Sequence, residues 1–254
     1  QNPDLFWYFS SARQMLEQGA VPRADFLSWT MRGREWIDFE WLSQLAFYLL
    51  YELGGFRLLV LFKGALLTAA VFVTWRTAAL GGAARSAWLY LPFLAAGMLT
   101  GGDIRAENFS LLFFALLIYR LERFRLGDAA PPRGTYFAAA AFFALWANLH
   151  AGYLYGLALF LIYFAGNLSG GSAAHGPRRG AAYLKFFALG LAASLLNPYG
   201  WKLYKAVAEH QAAAAAMSAY IQEWGPVDLL NIYQAPYFVM LAVVCALPLR
   251  RFFT

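Results

Sequence analysis

The stretch EWIDFEWLSQLAFYLLYEL, residues 35–53, is apolar and long enough to be taken for a membrane-crossing helix, yet it carries Glu35, Asp38, Glu40 and Glu52. A crossing here would put four carboxylates into hydrocarbon and reverse the side of every later loop. Ionisable groups inside a bilayer are costly, whereas Trp and Tyr suit the headgroup layer. Residues 35–53 therefore read as a helix lying in the outer interface. The topology of the whole chain follows from that choice.

Composition supports lipid as the main solvent. The chain of 254 residues is 61% hydrophobic, 19% aromatic and 13% charged, with a mean hydropathy of +0.49. Soluble domains lie nearer half apolar and a quarter charged. Seven apolar stretches could cross a bilayer: 56–75, 86–101, 109–119, 136–149, 153–167, 181–196 and 233–249. Several are short, so their ends extend into the flanking polar residues.

The connections alternate in charge. One set holds Arg76, Arg85, Arg120, Arg123, Arg125, Arg133, Arg178, Arg179, Lys185, Arg250 and Arg251, with only Glu122 and Asp128 as acids. The other set, residues 1–55, 102–107, 150–152 and 197–232, holds the remaining twelve of the fourteen acids. By the Lys/Arg rule the first set is cytoplasmic and the second external. An external start and a cytoplasmic end need an odd number of crossings after residue 55, as seven is. The formal charge of +6 thus belongs to membrane orientation, and no nucleic-acid partner is expected.

The expected fold is all-α: a polytopic transmembrane helical bundle over 56–254, with an external loop at 197–232. Residues 1–55 form an external loop with interfacial helices. Residues 4–18 are amphipathic, with Leu5, Tyr8, Ala12, Met15 and Leu16 on one stripe, and residues 201–222 form a third interfacial helix. The single Cys245 excludes an intrachain disulfide. The chain opens Gln1-Asn2-Pro3 without a signal-peptide pattern. An external start needs an upstream crossing, so a fragment of a longer chain is expected.

The external polar residues are the candidates for chemistry. Asp4 opens a helix, as an N-cap or as a reactive carboxylate. Asp38 and Glu40, flanked by Trp36 and Trp41, are the polar edge of an interfacial helix or part of a ligand site. Arg105 and Glu107 stand at the membrane edge. Arg105 suits either an ion pair with Asp4 or Glu107, or a phosphate held by its fork of donors. Asn148 and His150 need hydrogen-bond partners near the boundary, and Asn197 and Tyr199 belong to a helix-stopping turn. Lys202 and His210 follow on the third interfacial helix. No residue spacing declares a metal, a phosphate loop or a nucleophile elbow, and no inverted repeat speaks for a transporter.

Asp4-Leu5-Phe6-Trp7-Tyr8, Gly19-Ala20-Val21-Pro22-Arg23-Ala24-Asp25, Trp36-Ile37-Asp38-Phe39-Glu40-Trp41-Leu42, Arg105-Ala106-Glu107-Asn108, Trp146-Ala147-Asn148-Leu149-His150-Ala151-Gly152 and Leu196-Asn197-Pro198-Tyr199-Gly200 resemble bacterial multi-span proteins of the GT-C glycosyltransferase superfamily, relatives of protein O-mannosyltransferases and aminoarabinose transferases. The resemblance spans nearly the whole chain. It implies a bacterial inner-membrane, multi-pass protein whose site faces the extracytoplasmic side and which transfers a sugar from a polyprenyl-phosphate donor. By that resemblance Asp4 is the base on the acceptor and Glu107 the second acidic residue. Arg105, with Lys202 or His210, holds the phosphate, and Asp38, Glu40, Trp41, Asn148, His150, Asn197 and Tyr199 line the substrates. A divalent cation is compatible with such a site but has no signature here. The alternative is a non-catalytic GT-C-like subunit that scaffolds a larger membrane complex with partner subunits.

Overall fold

The structure, a computed structural model, describes residues 4–82, 103–127, 130–169 and 177–220, with 238, 239, 241 and 242. Within them the chain is all-α, with seven helices: α1 Asp4–Gln18, α2 Trp41–Leu80, α3 Glu107–Leu126, α4 Arg133–Leu149, α5 Tyr153–Ser169, α6 Pro177–Ser194 and α7 Lys202–Met217. The spans expected at 56–75, 109–119, 136–149 and 153–167 lie inside α2, α3, α4 and α5, and α6 covers most of 181–196. The stretch expected at 86–101 and most of that at 233–249 lie outside the described residues.

An unbroken α2 of 40 residues would measure about 60 Å, twice a bilayer core. It is broken instead at Gly54 and Gly55, where Gly55 has φ +61°, a conformation that L side chains rarely adopt. The break separates an arm, 41–53, from the helix 56–80. The arm starts later than the sequence suggests, at Trp41 instead of residue 35. Residues 35–40 are non-helical because Ala24 and Glu35 form an isolated bridge and the Asp38 carboxylate takes the backbone N–H of Glu40 at 3.1 Å. This local turn competes with the helix for the same backbone donors.

Helix α2 is long and apolar enough to cross a membrane, with a mean hydropathy of 2.0 over its most apolar window and only 11% of that window buried. The core helix of a soluble bundle would hide most of such a window. Here Val60, Leu61 and Phe72 point outward. Helix α5 is apolar over Tyr153–Leu168 but shorter.

Two aromatic cores hold the helices together. One unites α4, α5 and α6 through Phe143, Trp146, Phe160, Tyr183 and Phe186; the other joins α1, α2 and α3 through Leu5, Tyr8, Phe47, Leu59 and Phe109. Phe113 packs against both. Polar contacts are segregated to the two ends. At one end Arg179 binds the backbone carbonyls of Arg125 and Gly127, and Arg125 pairs with Glu122 at 2.7 Å. At the other, segments distant in sequence are stitched together: Trp41 donates to Asn148, Ser43 to the Leu149 carbonyl, and Tyr199 to the Pro22 carbonyl. The latter end gathers the segments expected outside.

Close helix approach in the first core depends on Gly156. A Cβ there would stand 2.5 Å from Trp146 Cζ3 and 3.2 Å from Phe143 Cζ. Trp146 has no room to retreat, since it is fully buried and its indole N–H is fixed on Ser110 at 2.7 Å. Gly156→Ala is expected to lower stability by about 1–3 kcal/mol through overpacking, read as a lower thermal midpoint in detergent. Gly64→Ala, where a Cβ meets nothing within 4 Å, is the control and should leave the midpoint level or raise it.

Candidate active site

Asp4 stands in the first turn of α1, where a carboxylate complements the helix dipole. Its Oδ2 lies 3.2 Å from Arg105 Nη2, and Arg105 precedes Glu107, the first residue of α3. The loop ahead of α2 brings Asp38 and Glu40 to the same place. The turn between α4 and α5 adds His150, whose Nε2 lies 3.6 Å from Glu40 Oε1.

Glu40 is the electrostatic centre of the group. Burial pushes its carboxyl up to about 7, and the charges of Asp38, Glu107 and Asp4 push the same way. The Tyr8 hydroxyl, which donates to Glu40 Oε2 at 2.5 Å, opposes this by favouring the ionised form. Asp4 and Glu107, from separate segments, therefore both act on one buried carboxyl. Asp38, 4% exposed, is pushed up to about 6 by burial, against the pull of three donors: the Glu40 N–H, the Ser11 hydroxyl and the Gln44 amide.

Burial also holds the His150 ring neutral, down to about 4. Its tautomer follows from its partners. Nδ1 accepts the Gly152 N–H at 3.0 Å. Ser110 Oγ, which accepts the Trp146 indole N–H, is 2.8 Å from the same nitrogen and so donates to it. The ring proton is then on Nε2, facing Glu40. A chain of polar groups runs from Trp146 through Ser110 and His150 to Glu40 and Tyr8.

A cavity of about 260 Å³ opens beside this chain, between residues 35–40, α1 and α7, with Trp7, Trp36, Asp38, Glu40 and His210 in its wall. Trp7 and Trp36 meet edge to face at 5.1 Å. The other expected residues take structural parts. Both amide hydrogens of Asn148 go to the carbonyls of Ala144 and Leu196, and its Oδ1 receives Trp41. Asn197 binds the Ser194 and Gly200 carbonyls and the Tyr199 N–H, and Tyr199 binds Pro22. Lys202 pairs with Glu35 at the rim, and His210 stacks edge-on against Phe39 at 5.5 Å.

Sequence reading missed Tyr8 as a polar partner, because it lies on the apolar stripe of α1. It missed Ser11 and Gln44 for want of any motif; a buried Ser on that stripe was the available signal. Among the described residues no three of His, Cys, Asp and Glu converge to hold a metal ion.

Because the folded Glu40 carboxyl titrates near 7 against an ordinary value of 4.5, the folded state binds the extra proton between those values. Its contribution to stability is therefore highest below pH ~4.5, falls as pH rises to ~7 and is level beyond. Glu40→Gln removes that dependence. The variant is expected to gain on the parent with rising pH, by an amount on the order of 3 kcal/mol above pH 7. Paired thermal melts between pH 4.5 and 8.5 measure the difference, and a constant offset would contradict the assignment.

Compared with known proteins, the chain matches no family model, no curated protein and no solved structure.

Proposed function

We propose that the protein is a polytopic, GT-C-like membrane glycosyltransferase that moves a sugar from a polyprenyl-phosphate donor to an acceptor on the extracytoplasmic side of a bacterial inner membrane. One observation carries the reading: the charges of Asp4 and Glu107, from separate segments, both act on the Glu40 carboxyl at one end of an apolar helical bundle, beside the Arg105 guanidinium that pairs with Asp4 at 3.2 Å. The charge asymmetry of the loops supports an outward position for that end. The donor's tail would lie in lipid along the outward apolar faces, with its phosphate at the rim.

In the reaction, the Asp4 carboxylate takes the proton of an acceptor hydroxyl. The acceptor oxygen bonds to the anomeric carbon as the bond from that carbon to the phosphate oxygen breaks. The electron pair leaves on the polyprenyl phosphate, and attack from the opposite face inverts the anomeric centre. Arg105, already beside Asp4, meets the charge developing on the phosphate, and Glu107 orients the acceptor. General-base help of this kind is worth about 10²–10⁴-fold.

Asp4→Asn is expected to lower sugar transfer by about that factor. The fold should survive, since a half-exposed ion pair contributes only about 0–1 kcal/mol. Transfer from a radiolabelled polyprenyl-phosphate hexose in proteoliposomes measures it, and unchanged turnover removes Asp4 from the mechanism. The Asp4–Arg105 pair also favours a second reading, a non-catalytic scaffold in which the pair locks the loop. In that case Asp4→Asn would release partner membrane subunits on purification, with no transfer to lose.

A further inference from the structure

The cavity wall is rich in acceptors and poor in donors. Gln44 lines it and is fully buried. Its amide nitrogen donates to Asp38 Oδ1 at 2.8 Å, while its Oε1 has no hydrogen-bond partner. A buried polar atom left so is costly, and a ligand N–H at that point removes the cost. His210 also lines the cavity, its Nδ1 donating to the Ala206 carbonyl at 2.9 Å.

Carboxylates complete the wall, and among the described residues no Lys or Arg lines it. Two of them are balanced at the rim, Glu35 by Lys202 and Glu209 by Lys205. The two deep ones, Asp38 and Glu40, face no Lys or Arg in the contacts described above. The remaining wall is aromatic, with Trp7, Trp36 and Phe39. Aromatic faces and carboxylates together attract organic cations.

These features discriminate between ligands. A phosphate brings only acceptors and negative charge, and a neutral polyol leaves the deep charge unmet. A metal ion needs converging ligands, and among the described residues no three converge. A protonated amine supplies only donors, with its charge spread over several N–H groups. The volume of about 260 Å³ is below the ~300–1,000 Å³ of drug-sized pockets, so the amine is small or is the head of a larger molecule.

We propose that this cavity binds a protonated primary amine, seated against Trp7 and Trp36 with its N–H groups on Gln44 Oε1 and the Glu40 carboxylate. The amine is either free or the headgroup of an ethanolamine lipid. Binding stands on the cavity alone; it rests on the transferase reading only in making the amine-bearing molecule the acceptor.

The test is titration calorimetry on the full chain in detergent, with ethanolamine and its neutral analogue ethylene glycol. Ethanolamine is expected to bind on the order of tenfold more tightly. Trp36→Leu and, independently, Gln44→Met should each weaken it by about tenfold, with an unchanged helical circular-dichroism spectrum and cooperative melting certifying the fold, since Gln44→Met also gives up the bond to Asp38. Nanodiscs of phosphatidylethanolamine and of phosphatidylglycerol then separate the sources. Loss of free-amine binding only in the former marks the lipid headgroup, and equal binding in both marks a soluble amine. No ethanolamine binding, equal binding of ethylene glycol, or full affinity in a folded variant overturns the proposal. Binding is read without turnover, so its failure beside Asp4-dependent transfer sinks this inference alone, and failure of transfer leaves the binding result standing.

Discussion

Asp38 is the knot on which this end of the bundle is tied. Its carboxylate is almost fully buried and collects donors from Ser11 on α1, Gln44 on the arm of α2 and the backbone of Glu40 between them. A carboxylate in such a place is tolerated only because it is satisfied by these donors. Removing any one of them would leave a buried acceptor or donor unmatched. The knot fixes the turn that stops the helix short of residue 41, aims Glu40 beneath Tyr8 and presents Trp36 to the cavity. The remaining geometry of the site is a consequence of holding that one group in place.

Around it the protein accepts unfavourable electrostatics. A buried carboxyl, Asp38, and a partly buried one, Glu40, sit with raised proton affinity and a histidine with lowered affinity, in each case with removal from water as the leading cause. A bundle shaped for stability alone would fill such positions with apolar side chains. Groups perturbed in this way, beside an open cavity, are the ordinary mark of a working site. The neutral His150, held by Ser110 and the Gly152 N–H, adds a positioned dipole and no charge.

Much of the helix order was readable along the chain, because apolar runs and charged connections alternate in it. Charge asymmetry between alternate loops named the segments that share an end, and the apolar periodicity of residues 4–18 matches α1. The acids of residues 35–53 argued against a simple crossing, and the arm does turn away from the long helix at a glycine pair. What remained hidden depends on partners far apart in sequence. Tyr8 and Glu40 are 32 residues apart, and Ser110 and His150 are 40. Nothing local marks either pair. Asn148 and Asn197 looked like ligand contacts because polar residues at a membrane edge need partners, yet backbone carbonyls and N–H groups supply those partners. The requirement was legible; the identity of what met it was not.

The glycine joint at Gly54 and Gly55 has a mechanical meaning. On one side of it is the helix with the apolar length to match a hydrocarbon slab; on the other is the arm whose Gln44 helps form the cavity wall. At Gly55 the chain takes a left-handed torsion, and Phe47 on the arm packs edge to face on Phe62 of the long helix at 6.4 Å, so the joint and this contact together hold the arm against the helix. The height of the pocket wall is thus set from the long apolar helix, and the joint is the fitting through which that height is transmitted.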